Sequence, residues 1–271
     1  MATNGKVLVT VKEIVEMKRR GEKVTALTAY DATFARLIEE GGADIILVGD
    51  SLGMVIQGHN TTLPVTMDEM VYHCRICSRG VSRALLVADM PFMSYQASIE
   101  QALINCGRCL KEGGVGAVKL EGGVEIAPTI KRLVEIGIPV MGHVGMQPQR
   151  VRQYGGYGLQ GSESSDAKLI LQDAEAVAEA GAFAIVLEKI PRSLAAKITK
   201  AVLIPTIGIA SGPECDGQIL VSYDMLGLAD QYKFRFVRRY LELADEIRSA
   251  VGKYRDDIRD GRFPAASESF D

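Results

Sequence analysis

Five short apolar runs in this chain each stop on one ionisable residue, and that recurrence limits the possible fold more than any other feature. Ile45-Ile46-Leu47-Val48 closes at Gly49-Asp50-Ser51, Ala84-Leu85-Leu86-Val87-Ala88 at Asp89, and Ala117-Val118-Lys119-Leu120 at Glu121. Ile138-Pro139-Val140-Met141-Gly142 closes at His143, and Phe183-Ala184-Ile185-Val186-Leu187 at Glu188. Runs this short, apolar throughout and bounded by Gly or a polar residue, read as strands buried on both faces, as parallel sheets require. Helical patterns lie between them and close on Glu-Gly-Gly at 40–42 and 112–114, with variants at 135–137 and 179–181. A helix that ends on Gly and feeds a buried strand is an αβ junction, so these echoes mark a repeated βα unit.

Further runs beginning near Val24, Ile204 and Gln218 bring the strands to eight in 271 residues. That length and rhythm predict a (β/α)8 TIM barrel; a doubly wound open sheet is the alternative, with fewer strands over such a length. The reading is one domain over 1–271, with an N-terminal segment at 1–23 carrying a helix at 10–20 and a tail at 261–271. Within it, a first strand is expected at 24–30, helices at 67–80 and 98–113, and a long C-terminal helix at 233–259. Two connections are long, 51–64 and 145–164. The second contains Gly156-Tyr157-Gly158-Leu159-Gln160-Gly161, a literal GxGxxG, but it lacks the strand-turn-helix context of a dinucleotide site. A lid over the carboxyl ends of the strands is the expectation instead.

A net charge of −3 leaves no basic stripe, which excludes nucleic acid and an anionic membrane as expected partners. No apolar run reaches the roughly 18 to 20 residues of a membrane helix, and the N-terminus lacks a signal-peptide pattern, so a cytoplasmic location is expected. Five cysteines are an odd set for a disulfide framework. The two CxxC pairs, Cys74/Cys77 and Cys106/Cys109, fall inside helical patterns without a Gly-rich knuckle, and read as small apolar fillers rather than zinc ligands.

The chemistry is expected at the strand ends. Neighbouring strands lie ~4.8 Å apart, so Asp50, Asp89 and Glu121 should share one arc of the barrel rim. Carboxylates that close need positive charge among them, and an all-oxygen set points to a hard cation, Mg2+ or its relatives. Lys119, two residues before Glu121, should face the same side, as a counter-charge or as the anchor of a substrate carboxylate. His143 and Glu188 extend the arc; a carboxylate set apart from the metal suits a general base, while His143 reads equally as packing. His59 and His73 read as loop and helix surface, and Ser211-Gly212 as a turn that also suits an anion.

These residues lie in longer motifs: Leu27-Thr28-Ala29-Tyr30-Asp31, Val48-Gly49-Asp50-Ser51-Leu52-Gly53-Met54, Ala88-Asp89-Met90-Pro91-Phe92-Met93-Ser94-Tyr95 and Val118-Lys119-Leu120-Glu121-Gly122-Gly123. Gly142-His143-Val144-Gly145, Pro148-Gln149, Cys215-Asp216-Gly217-Gln218, Asp224-Met225-Leu226-Gly227-Leu228 and Gly261-Arg262-Phe263-Pro264 continue them in order. In these motifs the chain resembles the ketopantoate hydroxymethyltransferase family over nearly its whole length. The resemblance implies a (β/α)8 barrel that transfers a one-carbon unit from 5,10-methylenetetrahydrofolate to 3-methyl-2-oxobutanoate. The product would be 2-dehydropantoate, on the route to pantothenate, formed through a metal-stabilised enolate. It further implies one Mg2+ per subunit on Asp50, Asp89 and Glu121, the last through water. The oxo acid would lie against Asp50, Ser51, Asp89 and Lys119, with His143 a further candidate contact and Glu188 the proton acceptor. A homo-oligomer, in many members a decamer, is also implied. Gly208-Ile209-Ala210-Ser211-Gly212, less Gly-rich than expected, Met146-Gln147 and Tyr223 depart from the expected pattern without touching these acids.

Three alternatives keep the site and change its use. One is a metal-dependent carbon–carbon lyase on a 2-oxo acid, of the isocitrate-lyase type. The second makes Lys119 a Schiff-base nucleophile. The third, outside enzymes altogether, is a structural oligomer that retains a metal.

Overall fold

Eight parallel strands pair in chain order and close on themselves: β1 (Val24–Thr28), β2 (Ile45–Val48), β3 (Leu85–Asp89), β4 (Ala117–Glu121), β5 (Val140–Gly145), β6 (Ala184–Glu188), β7 (Thr206–Ile209) and β8 (Gly217–Leu220). The computed structural model describes residues 8–231 and 233–270. The barrel expectation therefore holds, strand for strand. The chain divides into two compact units, Met1–Val221 with the barrel and Ser222–Asp271.

Inside the barrel unit, alternate residues of each strand point to the axis. Val24, Ala26, Leu47, Val87, Val186 and Ile207 belong to one buried apolar cluster at the lower end. Ile14 and Met17 join that cluster from the helix Val11–Arg20, which closes the bottom of the barrel. Thr10 caps this helix and Gly21 ends it in the left-handed conformation that glycine adopts without strain. Lys18 pins it in place, its Nζ donating to the carbonyls of Thr199, Val202 and Ile204 at 3.0 Å each and lying 2.9 Å from Asp216 Oδ2.

A second long-range tie is Glu39, on the helix Ala32–Glu40 and only 4% exposed. Its carboxylate accepts from the backbone N–H groups of Ser82, Arg83 and Ala84 and from the Ser82 hydroxyl, at 2.6–2.9 Å, just before β3 begins. Burial works to raise its pKa, but the four donors outweigh burial and hold it below the usual carboxylate value. A depressed folded pKa contributes stability above the unfolded value, about 4.3 for Glu, that is lost as pH falls through the folded value. Glu39→Gln should lower stability by about 2–3 kcal/mol at pH 7, since an amide cannot accept from all four donors. Urea unfolding should show that deficit shrinking below about pH 4, where the wild-type carboxylate takes its proton; a deficit constant with pH would disprove the charge assignment.

Three of the differences from the expected strand and helix limits have a clear cause. β1 stops at Thr28 because Asp31 turns the chain into the next helix, its Oδ1 accepting from the N–H groups of Thr33 and Phe34. β5 begins at Val140, after Pro139, which has no N–H to give the ladder, and runs on to Gly145. The C-terminal helix starts at Leu243 rather than at residue 233. Tyr240 and Leu243 donate instead to the carbonyls of Met225 and Leu226, and the Gly227 turn lies so close that a Cβ there would meet Leu241 O at 2.4 Å. These pairings lie within the second unit, where the Phe234 and Phe236 rings also stack at 5.5 Å.

Cys74 and Cys77 lie on the helix Met67–Ser78, and Cys106 and Cys109 on Ile99–Lys111, all free and buried as helix-face fillers. His73 departs from the surface reading: its Nδ1 lies 2.7 Å from Tyr30 O. Ser211 serves its turn, its hydroxyl donating to Leu187 O at 2.8 Å. Among the described residues no helix is long and apolar enough to cross a membrane.

Candidate active site

The upper layer of the barrel is charged because alternation continues past the apolar layer. Val87 points inward, so Asp89 does too; Ala117 sets Lys119 and Glu121, Met141 sets His143, and Val186 sets Glu188. The ladder then levels them, Asp89 beside Lys119, Glu121 beside His143 and Gly145 beside Glu188.

Asp50 reaches the same arc by another route. With Ile45 and Leu47 facing inward, alternation would send residue 50 outward, but β2 has ended at Val48. A turn follows, in which Leu52 N–H donates to Gly49 O and Gly53 N–H to Asp50 O, both at 3.0 Å. The Asp50 N–H thereby donates to Asp89 Oδ2 at 3.2 Å. Gly49 is needed here, since a Cβ would lie 2.6 Å from Ser51 Oγ, the hydroxyl that shares a 2.8 Å hydrogen bond with Tyr30 OH.

Lys119 stands in the middle of the acids. Its Nζ is 2.7 Å from Asp89 Oδ1, 3.9 Å from Glu121 Oε1 and 3.1 Å from His143 Nδ1. Burial pushes the Asp89 carboxyl up, to about 7, against the pull of Lys119, and pushes Glu121 up against the same pull. Burial works to lower Lys119, but Asp89, Glu121 and Asp50 together outweigh it and keep the ammonium charged. His143 is lowered, first by burial and then by the Lys119 charge, so its ring is neutral at pH 7. With the ammonium donating to Nδ1, the ring proton belongs on Nε2. That atom lies 3.2 Å from Glu188 Oε2, too oblique for a well-formed hydrogen bond. Glu188 is the open member of the set, its side chain 21% exposed.

The donor set suits a hard divalent cation. Among the described residues the buried Glu121 Oε1 accepts no hydrogen bond, and Asp89 Oδ1 meets Lys119 without a well-formed one. Both are carboxylate oxygens, which Mg2+, Mn2+ and Ca2+ prefer to nitrogen or sulfur. Among the described residues no three acidic, His or Cys side chains are drawn tightly enough to form a ready coordination shell, the ammonium standing between the acids instead.

Reasoning from strand ends missed Gln149 and Tyr95. Gln149 sits on one turn of 3-10 helix, Pro148–Arg150, 5% exposed, and its amide reaches Asp50 Oδ2. The Tyr95 hydroxyl accepts from Glu121 N–H at 3.1 Å. Neither has a period or spacing signal, because both come from connections rather than strands. The connection at 145–164 is also less irregular than expected, with helical turns at Pro148–Arg150 and Val151–Tyr154. Beyond them Tyr157 is close enough to the arc for its hydroxyl, raised first by burial, to feel the charges of Asp50, Glu188 and Glu121.

The family model for ketopantoate hydroxymethyltransferase matches residues 8–266. A 3-methyl-2-oxobutanoate hydroxymethyltransferase of Pelobacter propionicus is 54% identical over 262 residues, 97% of either chain. One of Trichlorobacter lovleyi is 55% identical over 262 residues, 97% of this chain and 98% of the relative. Among solved structures, 2,3-dimethylmalate lyase of the PEP mutase/isocitrate lyase superfamily superposes with a TM-score of 0.63. It covers 97% of this chain and 92% of its own at 17% identity, a likeness of fold.

Proposed function

Because this chain belongs to the ketopantoate hydroxymethyltransferase family, we propose that Asp50, Asp89 and Glu121 hold one divalent cation, Mg2+ by preference, and that Glu188 is the base. The reaction takes the methylene carbon of 5,10-methylenetetrahydrofolate and, with water, places it as a hydroxymethyl group on C3 of 3-methyl-2-oxobutanoate, giving 2-dehydropantoate and tetrahydrofolate. One observation carries the assignment of roles: the inward positions at the ends of four neighbouring strands hold Asp89, Lys119, Glu121, His143 and Glu188, with under-bonded carboxylate oxygens on Asp89 and Glu121 and a half-buried carboxylate at Glu188.

When bound, the cation supplies Lewis-acid stabilisation of the negative charge that develops on the keto oxygen. Lys119, held charged, pairs with the substrate carboxylate. Ser51, steadied by Tyr30, donates its hydroxyl to the same group. Glu188 faces the incoming keto acid and takes the C3 proton, with the neutral His143 ring beside it. The connection at 145–164 covers the mouth, with Tyr157 on its inner side.

A Schiff base at Lys119 is disfavoured, because the neighbouring carboxylates leave no free amine. The lyase alternative shares the barrel with 2,3-dimethylmalate lyase but only at the level of fold. We also propose self-assembly through the helix Leu243–Arg259. It buries none of its residues, and Ile247, Val251, Tyr254 and Ile258 form an exposed stripe at helical spacing.

Product formation from the two substrates, with and without a chelator, tests the whole reading. Turnover should need both substrates and cease on chelation; activity without the folate, or unaltered by removing the metal, would refute it.

A further inference from the structure

Gln149 stands on a connection, yet it touches the acids at the ends of two different strand regions. Its Nε2 donates to Asp50 Oδ2 at 3.0 Å and to Met90 O at 2.8 Å. Its Oε1 accepts from Gln96 Nε2 at 2.8 Å and lies 3.1 Å from the Tyr95 hydroxyl. Its backbone N–H donates to Glu121 Oε2 at 3.1 Å. Both amide protons and the amide oxygen therefore have partners, in a buried network where turning the amide breaks several bonds at once.

The consequence falls on the carboxylates. Asp50 Oδ2 and Glu121 Oε2 are each engaged by Gln149, and Asp89 Oδ2 by the Asp50 N–H. Among the described residues Glu121 Oε1 is left with no hydrogen bond, and Asp89 Oδ1 lies 2.7 Å from the Lys119 ammonium. The amide takes up one oxygen of Asp50, and the backbone N–H of the same residue takes up one oxygen of Glu121.

We infer that Gln149 is a positioning residue that orients Asp50 and Glu121 toward the divalent cation, and so makes cation binding depend on the connection that carries it. This rests on the cation assignment above. Losing a partner of a metal-ligating group typically weakens metal binding by about 10–100-fold. Gln149→Met keeps the length of the side chain and removes every side-chain hydrogen bond.

The test is equilibrium dialysis of the full chain against Mn2+, with near-ultraviolet circular dichroism as the check on folding. Folded Gln149→Met should bind Mn2+ at least about 10-fold more weakly than wild type; an unchanged dissociation constant overturns the inference. Should that variant fail to fold, Gln96→Ala decides, because Gln96 is exposed and touches no carboxylate. Loss of that one bond should weaken Mn2+ binding about 3-fold, and no change overturns the inference. Asp89→Asn separates the two levels. Wild-type Mn2+ affinity in Asp89→Asn would refute the cation assignment itself, whereas loss there with no effect at Gln149 and Gln96 would refute only the positioning role.

Discussion

Glu188→Gln should turn over about 10²–10⁴-fold more slowly than wild type, the range by which a positioned general base accelerates a reaction. The substitution is isosteric, and the native side chain is 21% exposed and, among the described residues, has no cationic partner except the His143 ring if protonated. Folding stability should therefore stay close to wild type, and the loss should sit in kcat. The decisive readout is exchange of the C3 proton of 3-methyl-2-oxobutanoate into D2O, which needs no folate. The variant should have lost it; exchange at the wild-type rate would move the base to another residue.

Lys119→Met should have the largest effect on stability. The ammonium is 4% exposed and lies 2.7 Å from Asp89 and 3.9 Å from Glu121, with Asp50 adding to the same negative field. Removing it leaves buried carboxylates without a counter-charge, which costs about 3–5 kcal/mol when one partner of a buried pair is deleted. Denaturant midpoints at neutral pH measure the deficit. Millimolar Mg2+ should recover part of it, and stabilise the variant more than the wild type, because a cation bound only to the folded state then replaces the missing charge. A variant as stable as wild type in the absence of divalent cations would show that Lys119 does not balance the acids.

The acids themselves were legible along the chain. Asp89, Glu121, His143 and Glu188 close apolar runs, Lys119 stands two residues before one of them, and the period of a strand carries such residues to the inner face. The 10–20 helix was legible too, from its apolar spacing and the Gly21 stop, but not its task of sealing the bottom of the barrel. Two readings failed for one reason. The start of the C-terminal helix was set too early, and His73 was placed on the surface, because backbone partners far away in the chain decide both.

Local pattern alone determined that this chain forms eight strands, most of them followed by a helix, and that Asp89, Lys119, Glu121, His143 and Glu188 face the barrel axis. Hydrophobic periodicity and strand alternation are properties of neighbours in sequence, so they can be read without coordinates. Only the tertiary structure decided that a turn after Gly49 brings Asp50 over Asp89, that Gln149 reaches across 99 positions to hold it, and that Glu39 anchors the start of β3. Those contacts join residues that no period relates; they exist because closing the barrel places its connections side by side and buries polar groups that must then find partners.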